Sequence, residues 1–244
     1  MKEQKLIHLK ETDSTNRFLQ MLTGQEDIPA ESIVLADYQT SGRGQQGNGW
    51  VSEAGMNLTF SVLLKPNNLP ASQFFSISET VSLSVRNVLT EYVDNVTVKW
   101  PNDVYCDDRK ISGILIENTL AEGLISQSIA GIGININQIR FGNDAPNAIS
   151  LRIITGKPID RMEVLECFQQ EFTRQYARLD AARFGEIHTD YRAVLYRKSG
   201  FYPYQDAAGV FEARIADIEP RGTLVLERTD GTFSGYAFKE VRFL

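Results

Sequence analysis

Residues 99–115, KWPNDVYCDDRKISGIL, constrain this chain more than any other stretch. Proline fixes one backbone dihedral, and Asn and Asp favour turns, so residues 100–103 are predicted as a rigid corner beside apolar strands. The corner brings an aromatic face, an amide and a carboxylate into one small region. The basic pair Arg109-Lys110 then precedes a small-residue step, Ser112-Gly113. A lysine before a strand is most simply a solvated edge charge. The functional alternative is an ammonium held against a negatively charged reacting group.

The rest of the chain supplies a scaffold for that corner. Asp13-Ser14 is predicted to cap a helix from about Thr15, with Phe18, Leu19 and Leu22 on its apolar face. Strands are predicted at 32–38, 57–64, 96–100, 111–118 and 126–137, the second half-buried because Leu58, Phe60, Val62 and Leu64 alternate. A helix of about five turns presents Ile77, Val81, Val85, Val88, Leu89 and Tyr92 on one face. Another, at 161–179, starts at Asp160 with Glu163 completing a capping box, and buries Val164, Leu165, Phe168, Phe172, Tyr176 and Leu179. After Arg197 the composition changes, and strands are predicted at 209–218, 222–228 and 232–238, with Asp230-Gly231 as a hairpin turn. The expected class is therefore α+β, a mixed and mostly antiparallel sheet with packed helices at 1–195, followed by a small β module at 196–244.

Composition narrows the function. With 244 residues, 42% of them hydrophobic, the chain can bury a full core. A net charge of −6 argues against a dedicated nucleic-acid binder, so neither DNA nor RNA is an expected partner. The N-terminal residues MKEQKLIHLKETDSTN lack the apolar run of a signal peptide, and no stretch is built to span a bilayer, so a cytoplasmic protein is expected. Cys106 and Cys167 fit no disulfide framework or CxxC pattern, and His8 and His188 give a metal site or a Ser-His-Asp triad little to draw on. No protein-held metal is expected.

Gly42, Gly44 and Gly47 spell GxGxxG, but the helix that a dinucleotide fingerprint needs does not follow. The HRD and DFG partners of a kinase loop are missing as well. Such a loop can still converge backbone N–H groups on an anion, and Arg43 adds a planar cation. The bland alternative is a plain surface connection. Trp50, closing the loop, offers a stacking face or simply fills core. Gly113, Gly131 and Gly133 interrupt apolar strands, which marks either a bulge or close approach by a ligand or another backbone. The hydroxyls of Ser14 and Thr15, beside Asn16, serve a helix cap or a polar ligand head.

Together these pieces resemble the biotin protein ligases. The resemblance rests on STN at 14–16, YQTSGRGQQGNGW at 38–50, KWPND at 99–103, RKISGIL at 109–115, GIGIN at 131–135 and the small C-terminal β module. It covers essentially the whole chain. It implies a class II synthetase-like catalytic domain followed by an SH3-like barrel. It also implies a two-step reaction: biotin and MgATP give biotinyl-5′-adenylate, and a lysine of a biotin carboxyl carrier domain then takes the biotin. By this match Lys110, Arg43 and Asp103 are catalytic. Ser14, Thr15, Asn16, Gln39, Gly42, Arg43, Lys110, Gly113, Gly131 and Gly133 hold biotin. Gly44, Gln45, Trp50, Asn102, Lys110, Asn135 and Arg242 hold ATP or the adenylate, and the loop at 42–49 closes over the product. The family includes monomers and homodimers. One departure is Gln45, where most members carry a basic residue. The other is the early start of STN, from which a monofunctional ligase without the DNA-binding domain of the bifunctional repressor-ligases is expected. A lipoate or octanoate ligase or transferase on a related fold is the alternative enzyme, and a single-stranded RNA binder the alternative from another class.

Overall fold

Every residue of the strand Leu58–Leu64 is buried, although its alternation predicts one wet face. The reason is a layer on each side. A computed structural model, describing residues 4–45, 49–143 and 145–244, shows both layers. In chain order the first elements are β1 (Leu6–Thr12), α1 (Thr15–Gln25), β2 (Ile33–Gln39), β3 (Leu58–Leu64), β4 (Leu69–Pro70) and α2 (Phe75–Leu89). There follow β5 (Val96–Lys99), β6 (Asp103–Cys106), β7 (Arg109–Ala121), β8 (Leu124–Ile134), α3 (Leu151–Thr155), α4 (Arg161–Asp180) and α5 (Phe184–Ala193). The chain ends in β9 (Tyr202–Asp206), β10 (Gly209–Ile218), β11 (Leu224–Arg228), β12 (Phe233–Tyr236) and β13 (Arg242–Phe243).

The main sheet runs β1-β2-β3-β8-β7-β6-β5, with β4 paired to β8. The β1–β2 pair is parallel. The other pairings are antiparallel. Leu63 faces α1, packing with Leu19, Ile28, Val34 and Ile129. Leu58, Phe60, Val62 and Leu64 face the large core under α2 and α4. Thr59 and Ser61, on the face predicted wet, are therefore buried too.

Helix α2 departs from its predicted single face in the same way. It spans 15 residues, about four turns rather than five, and is buried nearly all round. It lies between the sheet and helices α4 and α5, so no side of it reaches water freely. Helix α4 buries all six predicted core residues, and Asp160 caps it by accepting from the Met162 N–H rather than from Glu163, so the cap is a simple one and not the predicted box. Its aromatic side chains stack in series, Phe168 on Phe172 and Phe172 on Tyr176. At α1, Ser14 occupies the N-cap position, but its side chain makes no capping hydrogen bond.

The C-terminal strands form a second sheet, β12-β11-β10-β9-β13, antiparallel throughout. The predicted hairpin is present, with Gly231 at φ 84°. Two strands, β9 and β13, join the three predicted, and no β12–β13 pairing closes a barrel among the described residues. Tyr204, Ala213, Leu224 and Leu226 of this sheet belong to the same apolar cluster as α2 and β3.

Candidate functional site

The predicted corner is the turn between β5 and β6, and Lys99 pairs with Asp103 across its base. Each of its three middle residues is held by a different element. Trp100 Nε1 donates to the Gly222 carbonyl (3.0 Å), the Tyr191 hydroxyl to the Pro101 carbonyl (2.7 Å), and Asn102 Nδ2 to the Ile114 carbonyl (2.7 Å). The carboxylate of Asp103 is left to meet Lys110, at 2.7 Å from Nζ. Lys110 lies inside β7 rather than ahead of it, and an irregularity in the β6–β7 ladder at Val104/Tyr105 brings it opposite Tyr105.

These groups open onto a cavity of about 550 Å³. Of the residues singled out from sequence, Ser14, Thr15, Asn16, Gln39, Arg43, Gly44, Gln45, Trp50, Asn102, Asp103, Lys110, Gly113, Gly131, Gly133 and Arg242 line it. Gly42 and Asn135 do not. A Cβ on Gly42 would sit 2.3 Å from the Trp50 carbonyl, so that glycine serves the closure of the loop. Asn135 is buried behind the cavity, its N–H on the Ile111 carbonyl and its carbonyl taking the Leu151 N–H.

One wall is a buried hydrogen-bond relay. The Thr15 N–H and hydroxyl both donate to Gln39 Oε1 (2.8 and 3.0 Å). That fixes the amide's orientation and leaves Gln39 Nε2 as a donor. The Ser61 hydroxyl lies 2.7 Å from Thr15 Oγ1 and donates to Asn16 Oδ1 at 2.6 Å. Asn16 Nδ2 donates to Glu117 Oε2 (2.7 Å), which also accepts from Arg43 Nη2 (3.0 Å). Ser61 and Glu117 escaped the sequence reading. Ser61 lies on the side of β3 predicted wet, and Glu117 belongs to none of the motifs singled out.

The glycines of β8 have distinct neighbours. A Cβ on Gly131 would meet Asn16 Oδ1 at 2.3 Å, and one on Gly133 would meet the Trp50 indole at 2.2 Å. Both glycines line the cavity, yet the space that a side chain would take is filled by the protein's own amide and ring. Trp50 Nε1 is buried without a partner among the described residues. The loop that carries Trp50 closes on itself through the Trp50 N–H to the Gly42 carbonyl (3.0 Å) and the Arg43–Gly49 bridge. Gly47 of the GxGxxG run, and with it the middle of the predicted closing loop, lies outside the described residues.

The opposite wall comes from the C-terminal sheet. Lys239, Arg242 and Phe243 line the cavity together with Lys99, which sequence reading gave no role. Its Nζ lies 4.8 Å from the Tyr105 ring centroid and 5.1 Å from that of Phe243. Burial pushes the Lys99 pKa down, against the pull of Asp103. The lining holds five cations, Arg43, Lys99, Lys110, Lys239 and Arg242, against one carboxylate, Asp103. In a chain of net charge −6, that concentration marks an anion site. Among the described residues, no group of three or more His, Cys, Asp and Glu could hold a metal ion.

A family model, Biotin/lipoate A/B protein ligase family, matches residues 9–135. The bifunctional ligase/repressor BirA of Bacillus subtilis is 29% identical over 234 residues, covering 93% of this chain and 71% of that protein. The chain spans about half, 54%, of the BirA of Salmonella typhimurium. A biotin–[acetyl-CoA-carboxylase] ligase of Paracoccus denitrificans is 28% identical, covering 91% of this chain and 94% of that one. Among solved structures, the biotin protein ligase of Aquifex aeolicus in complex with biotin and ATP superposes with a TM-score of 0.79 at 29% identity, covering 98% and 99% of the two chains.

Proposed function

The chain belongs to the biotin/lipoate A/B protein ligase family, and we propose that it is a biotin–protein ligase. The observation that carries this reading is the joining of two unlike surfaces in one cavity. A hydrogen-bonded wall with a fixed amide donor, ending in the Arg43–Glu117 pair, faces a cluster of cations around the Asp103–Lys110 pair. The amide end of that wall suits an uncharged ring carrying a carbonyl, as in biotin's ureido group. The cationic side suits the carboxylate and the triphosphate that must be brought together.

The biotin carboxylate attacks the α-phosphate of ATP, forming the mixed anhydride and releasing pyrophosphate. Two anions meet in that step, so charge neutralisation by Lys110 and Arg43 is the main contribution asked of the protein. In the second step the amine of an acceptor lysine attacks the anhydride carbonyl, an amide forms and AMP leaves. Asp103, next to Lys110, orients the incoming amine and takes its proton. Gln39, Thr15 and Ser14 hold the ureido ring, and Trp50, Gln45 and Arg242 the nucleotide. Magnesium enters as part of the MgATP substrate. The acceptor is a biotin carboxyl carrier domain, and the reaction is cytoplasmic.

Pyrophosphate exchange into ATP tests the reading. Exchange that depends on biotin and is absent with lipoate or octanoate is the expected result. Exchange with lipoate alone would assign the other branch of the family, and none with any of these acids would remove the activity.

A further inference from the structure

The corner that carries Asp103 is anchored from behind by a helix that no motif marks. Helix α5 sends Tyr191, fully buried, to the Pro101 carbonyl. Proline has no N–H, so this carbonyl is the residue's one polar backbone group, and it belongs to the peptide plane leading into Asn102 and Asp103. The phenol has no freedom of its own: its ring lies edge-on to Phe75 at 5.7 Å. The helix is fixed in turn by His188, whose Nδ1 meets Glu79 of α2 (2.6 Å) and whose Nε2 meets Asp217 of β10 (3.2 Å). One turn on, Arg192 donates to the Ala216 carbonyl at 2.8 Å. Helix α5 thus braces the corner against helix α2 and the second sheet.

We infer that Tyr191 is a positioning residue for the Asp103–Lys110 pair, acting through the Pro101 carbonyl. The inference rests on the ligase reading. Without its donor, the carbonyl lacks a partner, and a rotation of its peptide plane that finds water moves Asp103 away from Lys110. A part-buried acceptor that loses its donor seeks another partner, and water in the cavity that Pro101 lines is the one within reach. A displacement of about 1 Å at reacting groups costs up to about a hundredfold in rate.

The test compares Tyr191→Phe, which keeps the ring, with Ile187→Val, which thins the same buried face of α5 without touching the corner. Biotin-dependent pyrophosphate exchange gives kcat and the KM for biotin, and hydrogen exchange reads the amides of residues 102–104 in the full chain. In Tyr191→Phe, kcat should fall about tenfold, with KM within about twofold because the Thr15–Gln39 wall is untouched. The amides at 102–104 should exchange faster. Ile187→Val should lower the melting temperature with kcat within about twofold. Unchanged kcat and protection in Tyr191→Phe would overturn the inference alone. So would kcat losses in both variants that track their melting temperatures. A wild type with no biotin-dependent exchange would overturn the ligase reading and this inference together, and is recognised before any variant is made.

Discussion

The corner at 100–103 and the glycine loop at 42–50 both bring charge to the cavity, but they are supported in opposite ways. The corner is bound by a carbonyl of β7, a phenol of α5 and the turn before β11, and its carboxylate meets a lysine on a strand. Among the described residues, the backbone bonds of the loop join its own two ends, and its arginine pairs with Glu117, both side chains more than a third exposed. Exposed pairs of this kind are worth about 0–1 kcal/mol, so Arg43 can leave Glu117 for an arriving phosphate at little cost. One side of the cavity is therefore expected to be set before ligand arrives, and the cation of the other side to adapt to it.

The largest expected effect tests that contrast directly. Lys110→Ala should lower biotin-dependent exchange by about 10²–10³-fold, the usual loss for a fixed electrostatic stabiliser. Arg43→Ala should cost about tenfold, because an adaptable cation gives up part of its benefit to ordering. Equal losses in the two variants would break the comparison. Next come the glycines. The Cβ of Gly131→Ala meets Asn16, which is buried and bonded at both ends, so overpacking of about 1–3 kcal/mol has no outlet. Its melting temperature should fall by about 3–8 °C, together with biotin affinity. In Gly133→Ala the added atom meets the Trp50 ring, whose Nε1 makes no hydrogen bond among the described residues. Its thermal loss should be about half as large. Calorimetry and biotin titration of both variants decide the order.

Behind the fixed side, the His188 seam makes stability depend on pH. The hydrogen bond to Glu79 raises the imidazole pKa above its ordinary 6.5, although burial opposes this. Burial in turn raises Glu79. A raised folded value means that the histidine's contribution is complete below its unfolded pKa and is lost as pH rises through the folded one. Glu79, a buried acid that holds its proton more tightly in the fold, acts with the same sign. His188→Gln should thus cost about 2–4 °C of melting temperature at pH 5.5, and the gap to wild type should narrow towards pH 9. A gap that widens with pH would overturn this account, with Arg192 and Asp217 beside the ring as the other charges in play.

Much of this was legible in the sequence, and the failures share a cause. The corner, β3, α4 and the C-terminal hairpin announce themselves through local chemistry: proline and amide turns, alternation, a cap, Asp-Gly. Helix α5 buries only Ile187 and Tyr191, too few to show a period, and β1, β6 and β13 are short or lie at an edge. Which polar residues become buried depends on what covers them. Ser61 and Glu79 look like surface residues until α1 or α5 is placed over them. The glycines of β7 and β8 suggested a bulge, or close approach by a ligand or another backbone, but what approaches is a tertiary fact. At Gly131 and Gly133 the neighbours are Asn16 and Trp50.

The smallest effect concerns Gln45, a neutral residue on the adaptable side of the cavity. Its amide can donate to a phosphate oxygen but supplies no charge. A guanidinium at the loop would face the adenylate phosphate through water, where one more partly exposed cation is worth about 0.5–1 kcal/mol. Gln45→Arg should therefore slow release of preformed biotinyl-adenylate by about two- to fivefold, and leave the exchange rate nearly unchanged, since Lys110 already serves that step. Rapid filtration of enzyme loaded with labelled adenylate measures the release. Equal rates would mean that the loop's charge does not govern retention. The fixed corner and the Gln39 wall would then hold the intermediate alone, and the adaptable side would act only while the two anions are being brought together.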